Sequence, residues 1–284
     1  MVGVLGVSAS AILVRFSQAP SGVTAAYRLG WTVLLLLPVV LLRCRAELRR
    51  VTARDLVLCG ASGVLLALHF LTWFESLKRT SVASSTVLVS TEVIFTALGF
   101  ALFLHGKIPR LGVWAILLAF GGSALLALSG GGGAGELSGN LLALAAASAA
   151  AVYTLIGRIQ RGHLSTTVYT FLTYLACFLT LLLGTAAAGT PLTGYGGREW
   201  LIGLALAVLC TLLGHSLFSW CLKYLSPSYV SAAKLCEPVF SSLAAIPLFG
   251  EVPGPLQLAG GAAVLGAIDG YKVNALDYLL KPIS

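Results

Sequence analysis

The chain has 284 residues, of which 58% are hydrophobic and only 10% are charged, and its formal net charge is +8. Soluble domains carry about 25% charged residues, so a water-soluble protein of this size could not cover its surface with so few charges. The basic residues lie almost entirely between long apolar runs, and no segment interleaves them with aromatic residues as binding of a nucleic-acid strand requires. The composition therefore predicts an integral membrane protein, and nucleic acid is not an expected partner.

Apolar runs near the ~20 residues that a helix needs to cross a ~30 Å hydrocarbon core predict ten transmembrane helices. Clusters rich in glycine and proline separate several of them, at 19–22, 129–135, 190–197 and 250–255. The predicted class is thus an all-α membrane protein. Its predicted spans are 2–16, 23–42, 55–77, 82–104, 110–129, 139–158, 166–188, 200–222, 228–249 and 256–271.

The basic residues between the spans predict the orientation. With the N-terminus in the cytoplasm, the outer connectors hold three basic residues, Lys78, Arg79 and Arg198. Basic loops resist translocation, so we expect a multi-pass protein of the plasma (inner) membrane with both termini cytoplasmic. The inner connectors then hold twelve basic residues: Arg43, Arg45, Arg49, Arg50, Arg54, Lys107, Arg110, Arg158, Arg161, Lys223, Lys272 and Lys281.

The two halves of the chain resemble each other at an offset of 145 residues. Five spans per repeat is an odd number, so the second copy would enter the membrane from the opposite face. We therefore predict two inverted five-helix repeats, at 1–129 and 139–271, with a cytoplasmic tail at 272–284. Membrane transporters that are built from two inverted repeats bind substrate near the midplane of the membrane, between the repeats. The matching pairs are Leu77 and Leu222, Lys78 and Lys223, Ser81 and Ser226, Glu92 and Glu237, Phe95 and Phe240, and Leu98 and Leu243.

Several of these segments resemble the EamA type of the drug/metabolite transporter superfamily. They read FLTWFESLK at 70–78, SVASS at 81–85, CLKYLSP at 221–227, EP at 237–238 and LFGE at 248–251. The resemblance covers residues 8–271 and implies ten helices, two cytoplasmic termini, and export or exchange of amino acids and related metabolites. It also implies a cavity lined by spans 1, 3 and 4 and their partners 6, 8 and 9.

The two copies differ after their shared glutamate, because Val93 occupies the position of Pro238. A break at a proline is therefore expected in span nine alone.

Charged residues inside the spans are candidates for a substrate or coupling site, because burying them in lipid costs several kcal/mol. They are Arg28, Glu92, Lys234 and Glu237. Lys234 and Glu237 are three residues apart on one helix face, so they could bind a substrate or proton, or could pair with each other to fix helix packing. Arg28 could bind a substrate carboxylate or hold Glu92 across helices. The sequence does not choose between these alternatives.

Two histidines and a tryptophan complete the candidate set. His69 and Trp73 share a face of span three, and His215 shares a face of span eight with Thr211 and Ser219. Histidine can exchange a proton near neutral pH, which suits a coupling site. The alternative is a neutral histidine bonded to a backbone carbonyl.

These features favour a secondary transporter that works by alternating access. The sequence has no Gly-x-x-x-x-Gly-Lys-Ser/Thr loop for ATP hydrolysis. An intramembrane metal enzyme using the histidines and glutamates is one alternative, but no paired-histidine motif supports it, and we expect no metal or cofactor. A non-transporting receptor is another. The expected partners are a small-molecule substrate, the lipid bilayer and, as an open alternative, a second copy in a homodimer.

Overall fold

The computed structural model describes residues 2–104, 113–114, 117–118, 121–122, 125, 134–227, 230, 234, 237–263 and 266. Within these ranges the regular elements are helices, with no strand. The helices are α1 (Val2–Phe16), α2 (Ser21–Arg43), α3 (Arg45–Leu48), α4 (Ala53–Arg79), α5 (Val82–Val89), α6 (Glu92–Phe103), α7 (Ala134–Gln160), α8 (Thr166–Ala187), α9 (Gly197–Cys221), α10 (Glu237–Phe249) and α11 (255–263).

Six helical segments of the described chain are long and apolar enough to cross a membrane, and two shorter apolar helices accompany them. The prediction of an all-helical, multi-pass protein is therefore confirmed. The fifth predicted span, 110–129, lies mostly outside the described residues, and the tail at 272–284 lies wholly outside them. Several boundaries differ from the prediction, since α2 begins at Ser21, α7 at Ala134 and α9 at Gly197, each inside a predicted connector.

Side-chain caps fix where several helices begin. Thr52 accepts a hydrogen bond from the Asp55 amide, and the Asp55 carboxylate accepts one from the Thr52 amide, a capping box that starts α4. Ser81 caps α5 and Ser165 caps α8 in the simpler way, with the hydroxyl accepting from an amide three residues on. Each cap therefore pairs one of the first-turn amides that the helix itself leaves without a partner.

The fourth predicted span is broken, although it contains no proline. The Ser90 hydroxyl donates to the carbonyl of Thr86 at 2.7 Å, and the Thr91 hydroxyl donates to the carbonyl of Leu88 at 2.7 Å. Such back-bonding competes with the helical ladder and bends it. A hydroxyl pair thus separates α5 from α6, at a place where the sequence predicted no break because it lacks the proline of the second copy.

The contacts between connectors define two ends of the bundle. Glu47 accepts from the Ser165 amide, which joins the C-terminal end of α2 to the start of α8; we call this the Arg50 end. At the other end, the Ser21 hydroxyl donates to Glu75, which joins the start of α2 to the end of α4; we call this the Lys78 end. Consecutive long helices therefore run antiparallel across the bundle.

The contact between α4 and α8 is tightest at Gly63. A Cβ at Gly63 would lie 2.5 Å from the Ala176 Cβ and 2.6 Å from the Thr173 carbonyl oxygen, whereas a Cβ at Gly60, one turn earlier, would meet nothing within 4 Å. Small residues allow such close approach of helices in lipid.

Replacing Gly63 with alanine is expected to destabilise the protein by about 1–3 kcal/mol, because the backbones would have to separate. Gly60→Ala adds the same methyl group to the same helix in open space, so it is expected to be neutral or to stabilise by up to about 1 kcal/mol. Thermal unfolding of both variants in detergent measures the difference. Equal melting temperatures would contradict the close packing at Gly63.

Candidate functional site

A cavity of about 580 Å3, counting the space at its open mouth, lies inside the bundle. It is bordered by α1, α4, the α5–α6 break, α7, α9 and the start of α10, which correspond to predicted spans 1, 3, 4, 6, 8 and 9. Six of the seven candidate residues line it, and Arg28 does not. The lining residues are Val7, Ser10, Leu66, His69, Trp73, Val89, Ser90, Glu92, Ala150, Tyr153, His215, Lys234 and Glu237.

The main charge contact in the cavity is an ion pair between Lys234 and Glu92. The ammonium lies 2.9 Å and 3.0 Å from the two carboxylate oxygens, and the side chains are 13% and 9% exposed. Thr154 of α7 also donates to Glu92, at 2.9 Å. The alternative in which Lys234 pairs with Glu237 on its own helix is therefore wrong, and the pair instead connects two distant segments of the chain.

Glu237 is the second carboxylate of the cavity and is differently placed. It is 8% exposed and makes no hydrogen bond or ion pair with the described residues. It is the first residue of α10, where the helix dipole favours negative charge. Glu92 holds the same position at the start of α6. Glu237 is thus the carboxylate of the cavity that is not engaged by Lys234 in an ion pair.

Arg28 is fully buried beside the cavity. Its Nε donates to Thr211 at 2.8 Å, its Nη1 donates to Ser10 at 3.0 Å, and its guanidinium lies 4.2 Å from the centre of the Phe70 ring. Its Nη2 has no partner among the described residues. Arg28 therefore does not bind Glu92, which was one of the two alternatives that the sequence left open. Its Nη2 group is available to donate a hydrogen bond.

A local change in helix geometry positions the partner of Arg28. Residues Leu206–His215 of α9 form a π-helix, and the Thr211 hydroxyl donates to the Leu206 carbonyl five residues earlier, at 3.2 Å. Insertions of this kind are frequent at functional sites. The π-helix ends at His215, which it places against the cavity.

The aromatic side of the cavity contains His69, Trp73 and His215. The Nδ1 of His69 lies 3.0 Å from the Ala146 carbonyl oxygen, which can only accept, so this nitrogen carries a proton. The Trp73 ring stacks on His69 with centroids 5.7 Å apart, and its Nε1 is buried without a partner among the described residues. His215 lies 6.4 Å from His69, ring to ring. His69 is thus bonded to a backbone carbonyl, as in the alternative in which it serves the fold. The Trp73 Nε1 is, after Arg28 Nη2, the second donor without a partner among the described residues.

Sequence reasoning missed Ser10, Tyr153 and Thr154. Tyr153 lines the cavity and hydrogen-bonds to Ser219, while Ser10 and Thr154 hold Arg28 and Glu92. A polar pair at 153–154 directly after the alanine-rich run 143–151 was the available signal. Uncharged polar residues are common in membrane helices, so the pattern alone did not separate these three from the rest.

The cavity thus combines two carboxylates, one ammonium group and an unsatisfied indole donor, with a buried guanidinium next to it. Such a set can bind a small molecule that carries both charge and hydrogen-bonding groups. Among the described residues, no group of three or more His, Cys, Asp or Glu is arranged to hold a metal ion.

The model of the EamA-like transporter family matches residues 1–128 and 137–268. The pseudopaline exporter CntI of Pseudomonas aeruginosa is 24% identical over 205 residues, which cover 72% of this chain and 71% of that protein. A probable terminal-alkyne amino-acid exporter of Streptantibioticus cattleyicolor is 27% identical over 231 residues, covering 78% and 74%.

A solved crystal structure shares the fold, with a TM-score of 0.71 over 96% of this chain and 95% of that one. Its sequence identity is 18%, so the likeness concerns the fold alone.

The Lys234–Glu92 pair can be tested by a double-mutant cycle. Lys234→Met is expected to destabilise by about 3 kcal/mol, because it leaves a buried charge without its counter-ion and two carboxylates in one cavity. The double variant Lys234→Met, Glu92→Met is expected to recover most of this loss, since both charges are gone. As a control, Glu75→Gln breaks the exposed Glu75–Arg79 pair and should change stability by less than about 1 kcal/mol. Additive effects in the cycle would contradict a direct pair.

Proposed function

The chain belongs to the EamA-like transporter family, and on this premise we propose that it exports small metabolites such as amino acids. It is a multi-pass inner-membrane transporter rather than an enzyme. The observation that carries the proposal is a cavity lined by charged side chains inside an apolar bundle. Polar and charged groups are expensive inside a membrane and mark substrate pathways.

The unsatisfied groups of the cavity suggest how a substrate binds. We propose that Glu237 receives the cationic group, since it has no partner among the described residues. Trp73 Nε1, in the cavity wall, would donate to an anionic or carbonyl oxygen, and the positive charge of Arg28 beside the cavity would attract the same group. His69, Glu92, His215 and Lys234 would complete the wall. The name of one relative specifies an amino acid, which carries both kinds of group.

Alternating access requires two halves that can rock against each other, and we propose the inverted repeats 1–129 and 139–271 for these halves. Two matching contacts support the inversion. Arg15 of α1 donates to the Leu77 carbonyl, and Arg158 of α7 donates to the Leu222 carbonyl. The two carbonyls are 145 residues apart and lie at opposite ends of the bundle. Basic loops resist translocation, so the Arg50 end and both termini would face the cytoplasm.

The Lys78 end is closed by a contact that we propose to be a latch. Arg15 forms an ion pair with Glu251 at 2.7 Å, and the other Glu251 oxygen accepts from the Val82 amide at 2.7 Å. Phe16 packs on Phe249 beside them, with ring centroids 5.0 Å apart. The residue 145 positions before Glu251 is Gly106, which has no carboxylate. The latch therefore ties the first repeat to the second at the outer end without an equivalent glutamate in the first copy.

Replacing Glu237 with glutamine is expected to reduce transport at least tenfold while leaving the melting temperature unchanged or higher, because the buried carboxylate loses no described partner. The measurement is efflux of a panel of radiolabelled amino acids from proteoliposomes. Glu199→Gln is the matched control, because this buried carboxylate accepts bonds from Ser17 and the Gln18 amide and should lower stability instead. Normal flux in Glu237→Gln would remove Glu237 from the site. Absence of flux for every compound with the unaltered protein would count against export of amino acids.

Replacing Glu251 with glutamine is expected to open the Lys78 end more often. A partly exposed pair is worth about 1 kcal/mol, which corresponds to about a fivefold shift in population. A cysteine at Val89, in a background without the native cysteines, should then react about fivefold faster with an impermeant maleimide added from that end. Glu75→Gln removes the charge of a pair within one helix at the same end and keeps an amide oxygen that can accept from Ser21, so it should leave the rate unchanged. Equal rates in all variants would rule out the latch.

A further inference from the structure

The two ends of the bundle carry very different charge. The described residues at the Lys78 end include four basic and four acidic residues: Arg15, Lys78, Arg79, Arg198, Glu75, Glu136, Glu199 and Glu251. Those at the Arg50 end include eight basic and only two acidic residues: Arg43, Arg45, Arg49, Arg50, Arg54, Arg158, Arg161, Lys223, Glu47 and Asp55. The Arg50 end thus has a formal excess of six positive charges, while the Lys78 end is balanced.

The basic groups of the Lys78 end are bonded within the protein. Arg15 and Arg79 form ion pairs, Lys78 donates to the Ala19 carbonyl, and Arg198 donates to the Phe16 carbonyl. The arginines between the second and third predicted spans differ, because none forms an ion pair with the described residues and all are exposed. They are Arg43, Arg45, Arg49, Arg50 and Arg54.

Two of these arginines border a concave surface. An open groove of about 1090 Å3 runs between the α2–α4 connector and the α7–α8 connector, and Arg43, Arg50 and His163 line it. We call it the Arg43–Arg50 groove. Its two acidic residues are held in internal contacts, since Glu47 accepts from the Ser165 amide at 2.6 Å and Asp55 accepts from the Thr52 amide at 3.0 Å. The arginines remain available to an external anion.

Aliphatic side chains are exposed next to the groove. Leu42 is 84% exposed just before Arg43, and Leu56 and Val57 are 52% and 69% exposed at the start of α4. A bound molecule would therefore meet cationic groups beside an apolar surface. A free inorganic anion would contact only the cationic groups. A phospholipid would contact both surfaces, with its phosphate on the arginines and its acyl chains on the aliphatic side chains.

We propose that the Arg43–Arg50 groove binds the headgroup of an anionic phospholipid such as phosphatidylglycerol. Clusters of basic residues next to a membrane helix attract anionic lipid, and basic pockets between helices bind lipid headgroups. The arginines could instead serve only to orient the protein in the membrane. Orientation depends on charge and needs no concave surface, so the groove favours the binding of a lipid. The proposal does not depend on the transported substrate.

The test is a titration of the full-length protein, purified in a neutral detergent, with phosphatidylglycerol, followed by native mass spectrometry and thermal unfolding. The expected result is one saturable phosphatidylglycerol per chain that raises the melting temperature, with no such effect from phosphatidylcholine. Arg43→Gln, Arg50→Gln is expected to weaken binding about thirty-fold, as two basic residues at a membrane surface predict.

The matched control is Arg49→Gln, Arg54→Gln, which removes two charges from the same end but outside the groove lining. It should retain most of the affinity. Equal losses in the two double variants would overturn the groove and leave only diffuse attraction. Equal stabilisation by inorganic phosphate would overturn the lipid as the occupant, and no difference between phosphatidylglycerol and phosphatidylcholine would overturn the proposal as a whole.

Discussion

The structure depends on how it neutralises charge inside an apolar bundle. Removing an ammonium group and a carboxylate from water costs several kcal/mol each, and this cost is offset only when the two are in contact and further hydrogen-bonded. Lys234 and Glu92 meet this condition, with Thr154 as the additional donor. Their pairing draws together α6, α7 and the segment before α10, which are far apart in the chain. The cavity lies beside this pair and is also bordered by α1, α4 and α9.

Groups that are not neutralised in this way are the ones that point to function. Trp73 Nε1 and Arg28 Nη2 are buried without partners among the described residues, and Glu237 is a buried carboxylate outside the Lys234–Glu92 pair. A buried polar group without a partner destabilises a fold, so such groups in or beside a single cavity suggest that a ligand completes them. By contrast, Glu199 is equally buried, but it is satisfied by Ser17 and the Gln18 amide and therefore serves the fold.

The two ends of the bundle differ in their charged contacts, although the two halves of the chain resemble each other in sequence. The Leu77 and Leu222 carbonyls, which each accept from an arginine, are related by the internal repeat, whereas the Arg15–Glu251 pair and the unpaired arginines near Arg50 are not. A strictly symmetric carrier would close equally well at both ends. The side chains that break the symmetry lie at the ends, where a change of conformation and a choice of membrane partner would both take place.

Long apolar runs and the positions of charge determined much of this protein in advance. Hydrophobic length is a local property, so the helices and most of their boundaries could be read from the sequence, and six of the seven candidate residues do line one cavity. The partner of each buried charge could not be predicted from the sequence, because it depends on which helices are neighbours in the fold. Lys234 has a carboxylate only three residues away in the chain, Glu237, yet its partner is Glu92, 142 residues earlier. Only the tertiary structure decided that choice, since an ion pair forms where packing brings two charges within about 4 Å, whatever their separation along the chain.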